Sequence, residues 1–174
     1  MTKYEVMRRI VNDLGYPEYR FGQITDAIFK QKARRYEDMT QLPASLRNAL
    51  KAELGEYTVG FTAVTHDLSK QTQKVLFRAP DGYAVEAVAL EYKKGWHSFC
   101  VSSQCGCACG CKFCATGGMG FKRNLSADEI TDQLLTFLLE GKTLDSVSFM
   151  GMGEPLLNPE IFTALRVLID PQLF

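Results

Sequence analysis

Ser126-Ala127-Asp128-Glu129-Ile130-Thr131-Asp132-Gln133-Leu134-Leu135-Thr136-Phe137-Leu138-Leu139-Glu140-Gly141 lies between two strand-like runs, His97-Ser98-Phe99-Cys100-Val101 upstream and Ser146-Val147-Ser148-Phe149-Met150 downstream. Ser126 followed by Glu129 is a capping box, Ile130, Leu134 and Leu138 recur on one helical face, and Gly141 supplies a stop. A further helix follows the second run, with Asn158 as its N-cap and Pro159 at its first helical position. Strand, helix, strand, helix is the opening of a parallel α/β sheet or barrel. Two such units cannot close a barrel, and a two-stranded parallel sheet leaves long open edges. The stretch 97–174 therefore reads as an unfinished α/β unit.

Upstream of it, Thr72 to Arg78 and Ala84 to Leu90 flank the turn signal Pro80-Asp81-Gly82 and are expected to form a hairpin within a strand-rich extension, residues 57–96. Residues 1–56 read as a helical accessory domain. Thr2 and Glu5 make a capping box for a first helix, Val6, Ile10 and Leu14 share its face, and Gly15 with Pro17 stops it. A second helix is expected over 22–35 with Ile24, Ala27 and Ile28 inward. A third starts near Pro43, buries Leu46, Leu50 and Leu54, and ends at Gly55. The basic residues Lys30, Lys32, Arg34 and Arg35 have two readings of equal standing: a solvated helix end suited to the helix dipole, or a contact with RNA phosphates.

Composition narrows the classes. With 46% hydrophobic and 23% charged residues the 174-residue chain is globular in character, not a disordered tail. Twenty Lys and Arg balance twenty Asp and Glu, so a nucleic-acid surface, if present, is local. No apolar run reaches the roughly 18–20 residues of a membrane span, and Met1-Thr2-Lys3-Tyr4-Glu5 lacks an apolar signal core. A cytoplasmic protein without membrane contact is expected.

All six cysteines fall between Cys100 and Cys114. A disulfide framework would spread its partners to close long loops, so crowded thiols read as metal ligands or redox groups. Structural zinc and ferredoxin clusters want four ligands in other spacings. Cys107, Cys111 and Cys114 stand as C-x3-C-x2-C, a spacing that no other trio of the six gives. Three thiolates on a four-iron cube leave one iron open to a substrate's amine and carboxylate. A zinc-binding or merely reactive cysteine loop is the plainer alternative. The loop Gly151-Met152-Gly153-Glu154-Pro155 follows the second strand as the cysteine loop follows the first, at the strand ends where α/β folds place chemistry. Its glycines allow close backbone approach, and Glu154 can accept hydrogen bonds from an ammonium. A Gly-Pro turn with a solvated glutamate is the alternative there.

The C-x3-C-x2-C spacing, with Phe113 before the last cysteine, resembles that of the radical S-adenosylmethionine (SAM) enzymes. Longer runs sharpen the resemblance: Cys100-Val-Ser-Ser-Gln-Cys-Gly-Cys, Gly110-Cys-Lys-Phe-Cys-Ala-Thr-Gly, Lys122-Arg-Asn-Leu-Ser-Ala-Asp-Glu-Ile-Thr-Asp-Gln and Ser148-Phe-Met-Gly-Met-Gly-Glu-Pro-Leu are similar to the RlmN/Cfr family of radical SAM methyltransferases of 23S rRNA. Lys122-Arg123-Asn124-Leu125 and the Gly-Cys-Lys-Phe-Cys run resemble its Cfr branch, which methylates one adenine at C8 and confers ribosomal antibiotic resistance. The C2-methylating branch (acting on the same adenine and on tRNA) and a non-catalytic iron–sulfur or zinc fragment are the alternatives.

The resemblance implies an α/β fold in which the helical accessory domain and β-hairpin are followed by the first two strand–helix units of a radical SAM partial (β/α) barrel. It implies a 4Fe-4S cluster held by Cys107, Cys111 and Cys114, and SAM held by Gly153 and Glu154. Glu86 matches the residue proposed as proton acceptor. It shares a strand face with Val88 and Leu90, where desolvation is expected to raise its pKa. Cys100 matches a family position beside the active site. The implied partners are 23S rRNA and a flavodoxin-type electron donor, with no obligate protein partner. Cys105 and Cys109 are expected to be buried bystanders. The implied route passes through a methyl-cysteine for which no cysteine exists after Cys114, so the chain looks like the first half of such an enzyme and is not expected to methylate RNA by itself.

Overall fold

The structure, a computed structural model, describes residues 1–69, 71–92 and 95–174. Helix α1 (Lys3–Asp13) opens on the expected capping box, with Thr2 Oγ1 accepting the Glu5 N–H and the Glu5 carboxylate accepting the Thr2 N–H at 2.7 Å. Its buried face is Tyr4, Met7, Ile10 and Val11. The expected stripe through Val6 and Leu14 is displaced by part of a turn, and Leu14 caps the helix in solvent.

Helix α2 (Tyr19–Phe29) starts and ends earlier than the expected 22–35. Lys30 and Gln31 both donate to the Asp26 carbonyl, Ala33 donates to Ala27, and Lys32 takes φ +60°, so the chain reverses as in a Schellman-type stop without glycine. The basic cluster consequently lies beyond the helix, with only Lys30 at its C-cap. Helix α3 (Ala44–Leu54) buries Leu46 and Leu50, ends at Gly55, and leaves Leu54 partly covered.

Among the described residues seven strands follow: β1 (Thr62–Leu68), β2 (Thr72–Arg78), β3 (Ala84–Glu91), β4 (His97–Cys100), β5 (Gln104–Cys105), β6 (Arg123–Asn124) and β7 (Ser146–Ser148). A short α4 (Ala115–Gly118) precedes β6, α5 (Ala127–Leu139) joins β6 to β7, and α6 (Glu160–Leu168) comes last. The main sheet has the order β1-β2-β3-β4-β7. Its first four strands are antiparallel and β7 pairs parallel to β4, which makes a mixed α/β architecture. The predicted hairpin is β2–β3, registered Arg78 opposite Ala84 through Thr72 opposite Leu90. It is continuous with β4, since Val88 lies opposite Cys100. Strand β7 is shorter than the expected 146–150 and only half-buried, because it is the sheet's edge among the described residues.

Alternation sorts the sheet into two faces. Val75, Phe77, Val85, Ala87, Ala89 and Phe99 point to the face that α5 covers, where Phe137 stacks on Phe99 at 5.1 Å and meets Phe77 edge-on. Glu86, Val88, Leu90 and Cys100 lie on the other face and are only partly covered. Helix α5 has its second side against the helical N-terminal part, through Leu135 and Leu139. It is thus buried nearly all round, with Leu138 less covered than the expected single stripe requires.

A charged cluster sits at this second junction. The buried Lys3 ammonium pairs with Asp132 and donates to the Thr58 carbonyl at 2.7 Å, the other Asp132 oxygen accepts the Gly60 N–H at 2.7 Å, and Asp128 accepts the Lys3 N–H at 2.8 Å. Burial raises the Asp128 pKa to about 6 against the opposing pull of Lys3.

Candidate functional site

Because β4 and β7 run parallel, the segments that leave their C-terminal ends emerge side by side. Residues 101–105 and 151–154 are then stitched together. Val101 donates to Ser148 at 2.9 Å and accepts from Gly151 at 3.1 Å, and the Met152 carbonyl accepts both the Ser103 and Gln104 N–H groups at 2.8 and 3.1 Å. Ser102 Oγ accepts the Met152 N–H at 2.8 Å and donates to the Glu86 carbonyl at 2.6 Å. Gln104 Oε1 accepts the Glu154 N–H at 2.9 Å while its Nε2 donates to Asn124 at 2.8 Å.

The approach leaves no room for side chains on the second loop. A Cβ at Gly151 would lie 2.8 Å from the Ser102 nitrogen. At Gly153, where φ is +99°, it would lie 2.6 Å from Gln104 Cβ. Buried amides anchor the pair of loops from behind. Gln133 on α5 accepts the Ser102 N–H at 2.9 Å and donates to the Ser102 carbonyl at 3.0 Å. Asn158 donates to the Ser103 and Leu125 carbonyls at 2.7 and 2.8 Å, and its Oδ1 accepts the Glu160 N–H that opens α6. Helix α6 thus starts one residue later than expected, at Glu160 with Pro159 as its N-cap, and Asn158 ties three segments together from just outside it.

At the rim, Arg123 clamps the β2–β3 turn. It binds Asp81 on one side and makes two 2.7 Å bonds to Glu129 on the other, while Glu129 completes the expected capping box with Ser126. The Arg123 hydrogen bond holds the Asp81 carboxyl below its ordinary range.

The cysteines occupy unlike environments. Cys105 and Cys107 are buried, Cys100 is half-buried, and Cys109, Cys111 and Cys114 are exposed. Cys109 is thus no buried bystander: it hydrogen-bonds Cys107, which raises its pKa, and it lies within electrostatic reach of Cys111 and Glu154. Burial pushes the Cys105 thiol up. Cys114 moves the other way, because the Gly117 and Thr116 N–H groups at the start of α4 stabilise its thiolate. Among the described residues no three metal-ligating side chains are gathered into one group.

Glu86 corrects one expectation. Its face of β3 is not the buried one, and its carboxylate pairs with Lys74 at 2.8 Å with both side chains nearly half exposed. Val85, Ala87 and Ala89 take the core side because α5 covers that face alone. The position is still informative: Glu86 lies two residues along β3 from the partner of Cys100, at the sheet end where both loops emerge.

No family model matches the chain. Curated relatives do. The chain is 54% identical over 173 residues, 99% of its length, to a protein of Clostridium botulinum strain Hall named ribosomal RNA large subunit methyltransferase Cfr. Proteins of the same name from Lachnoclostridium phytofermentans and Staphylococcus warneri are 53% and 50% identical over the same span. A solved radical SAM methyltransferase from Sphaerobacter thermophilus superposes with a TM-score of 0.87 at 38% identity, covering 99% of this chain and 52% of that one. The chain belongs to the Cfr-type radical SAM methyltransferase family. It spans about half the length of the curated relatives it matches.

The donor chemistry of this Cfr-type chain fits the iron–sulfur cluster that radical SAM enzymes carry. Cys107, Cys111 and Cys114 lie on one loop, two of them open to solvent and one already favouring the thiolate that iron requires. Gly153 and Glu154 lie on the partner loop. Glu154 keeps its carboxylate partly exposed, with Oε1 accepting the Leu156 N–H at 3.2 Å. The sequence pattern does not single out Ser102, Gln104, Gln133 or the bridging role of Asn158 as parts of the site. The one signal for Gln133 is a polar residue inside an otherwise apolar helical run; Ser102 and Gln104 carry none.

Proposed function

We propose that the chain is the cofactor-binding part of a radical SAM methyltransferase that acts on 23S rRNA and methylates one adenine at C8. One observation carries the reading: a cysteine loop of C-x3-C-x2-C spacing and a Gly-Met-Gly-Glu loop leave adjacent parallel strands and are hydrogen-bonded to each other. The two loops and their strands would form the first two units of a partial (β/α) barrel.

In this reading Cys107, Cys111 and Cys114 would hold a 4Fe-4S cluster that binds SAM. When bound, the cluster supplies the electron for reductive cleavage of SAM, chemistry suited to an adenine carbon too weakly nucleophilic for ordinary methyl transfer. The Gly153 region receives the amino end of SAM by close backbone approach, and Glu154 accepts from its ammonium. Glu86, at the same end of the sheet, takes the proton that leaves the adenine ring, and Lys74 holds its carboxylate in place. Cys100 lies on the same sheet face as Glu86, just ahead of the cysteine loop. The route needs a methyl-bearing cysteine outside the stretch 100–114, so the 174 residues alone are expected to transfer no methyl.

The test is anaerobic reconstitution with iron and sulfide. About four of each per chain, a visible absorption band perturbed by SAM, and loss of both in Cys111→Ala support the reading. One zinc per chain, or a retained cluster blind to SAM, refutes it.

A further inference from the structure

The basic stretch between Lys30 and Arg35 has no part in the loop site, and the structure now separates its members. Lys30 pairs with Asp26 at 2.7 Å, and Arg35 is held by Glu37 at 2.9 Å and by Glu56. Arg34 is exposed and has no ion-pair partner among the described residues. It lines a cleft of about 620 Å³ between the segment after α2, the segment leading into β1 and the last turns of α5. That volume falls within the roughly 300–1,000 Å³ of clefts that take small organic ligands.

The lining is chemically divided. Val59, Phe61 and Leu139 give an apolar surface, and Tyr57 stands beside them, 56% exposed as a residue. The Arg35 guanidinium lies 5.5 Å from the centre of the Tyr57 ring, and residues 35 and 57 are bridged through their backbones. Arg35, neutralised by two glutamates, thus braces the ring and leaves Arg34 as the cleft-lining cation without an ion-pair partner among the described residues; Lys32, equally exposed and outside the described ion pairs, does not line the cleft. Asp38 on the same wall opposes a second negative group.

A half-exposed aromatic, an apolar backing and one free guanidinium match a nucleotide that is out of a helix: the base stacks and a single phosphate pairs. A duplex, recognised through a run of phosphates, would need several free cations here. We propose that this cleft binds one unpaired nucleotide of an RNA, its base on Tyr57 against Val59 and Phe61 and its phosphate on Arg34. The inference rests on the reading of the chain as RNA-modifying and adds to it a contact point at the opposite half of α5 from the loop site, where Gln133 holds Ser102.

Fluorescence anisotropy of the full 174-residue chain with a dye-labelled ten-nucleotide single-stranded RNA tests it. The unaltered chain is expected to bind the single strand more tightly than a duplex of the same sequence. Tyr57→Ala should weaken binding roughly 5- to 150-fold, the range that loss of one base–aromatic stack gives, and Tyr57→Phe should restore it. Arg34→Ala should reduce the salt dependence, the slope of log K against log salt falling by about 0.7. Unchanged melting curves for all three variants keep the comparison valid. Absence of binding by the unaltered chain, binding indifferent to Tyr57→Ala, or an unchanged salt slope in Arg34→Ala overturns the cleft. The outcomes separate from those of the cofactor reading: a chain that binds RNA through Tyr57 yet takes up no iron refutes the latter alone. Normal iron uptake with Tyr57-independent RNA binding refutes the cleft alone.

Discussion

Replacing Asp132 by alanine should loosen the helical N-terminal part from the sheet. Asp132 is buried, with one carboxylate oxygen on the Lys3 ammonium and the other on the Gly60 N–H at 2.7 Å. Removal strands a buried cation whose remaining acceptor is the Thr58 carbonyl, and leaves a backbone donor with no partner. Deleting one member of a buried pair costs about 3–5 kcal/mol, and an orphaned buried donor about 1–3 kcal/mol. With overlap between the two, Asp132→Ala should lose about 4–6 kcal/mol of a total that for most domains is only about 5–15 kcal/mol. For a chain of this size that is about 10–20 °C in melting temperature.

The combined variant Lys3→Met with Asp132→Leu removes the stranded charge and should fall only about 1–3 kcal/mol below the parent, because the Thr58 and Gly60 backbone groups still lack partners. Urea unfolding followed by far-ultraviolet circular dichroism measures all three proteins. A loss under about 1 kcal/mol in Asp132→Ala would refute the reasoning. It would mean that water reaches the pair and that apolar contacts of Leu135, Leu139 and Val167 alone hold the junction.

Three further outcomes follow from the same geometry. Gly153→Ala should abolish retention of a SAM-responsive cluster while leaving most of the fold intact, since its Cβ would collide with Gln104 and its φ of +99° disfavours any side chain; unchanged SAM response in the reconstituted variant would contradict this. Asn158→Ala should destabilise the chain by about 2–4 kcal/mol in urea, because the Ser103 and Leu125 carbonyls and the Glu160 N–H lose a buried partner together. Asp128, with a folded pKa of about 6 against an ordinary 3.8, binds protons more readily in the folded state. Its contribution favours folding below pH 4 and is lost as pH rises towards 6. Subtracting the Asp128→Asn unfolding curve from the parent's should therefore show a decline of up to about 3 kcal/mol across that window, and a flat difference would disprove the assignment.

Local chemistry was legible in the sequence where one residue's hydrogen bonds decide the outcome. Both capping boxes and the β2–β3 hairpin around Pro80-Asp81-Gly82 stand where their spacing placed them, and the start of α6 lies one residue beyond the expected Asn158 cap. The two loops could also be paired in advance, since parallel strands bring their ends together. What the spacing could not decide was which side of an element would be covered. Helix α1 rotated to bury Met7 instead of Leu14, and α5 was buried on two sides because two cores meet on it. Alternation places Glu86 with Val88 and Leu90 but gives two faces and does not say which one a helix will cover. Helix α2 ended early through a left-handed Lys32, a conformation for which lysine gives no signal. Strand β1 was only part of a strand-rich region, because its partner in register is the hairpin and not its own pattern.

The Gln133 amide has a consequence for the order in which the protein can be built. By engaging both the donor and the acceptor of Ser102, it performs from a helix the task usually left to a flanking strand. Together with the ties from Ser148, Met152 and Asn158, it holds the peptide that leads into the cysteines from the helix side of the sheet. A metal bound by those cysteines would meet a peptide whose lead-in is already held at both its donor and its acceptor.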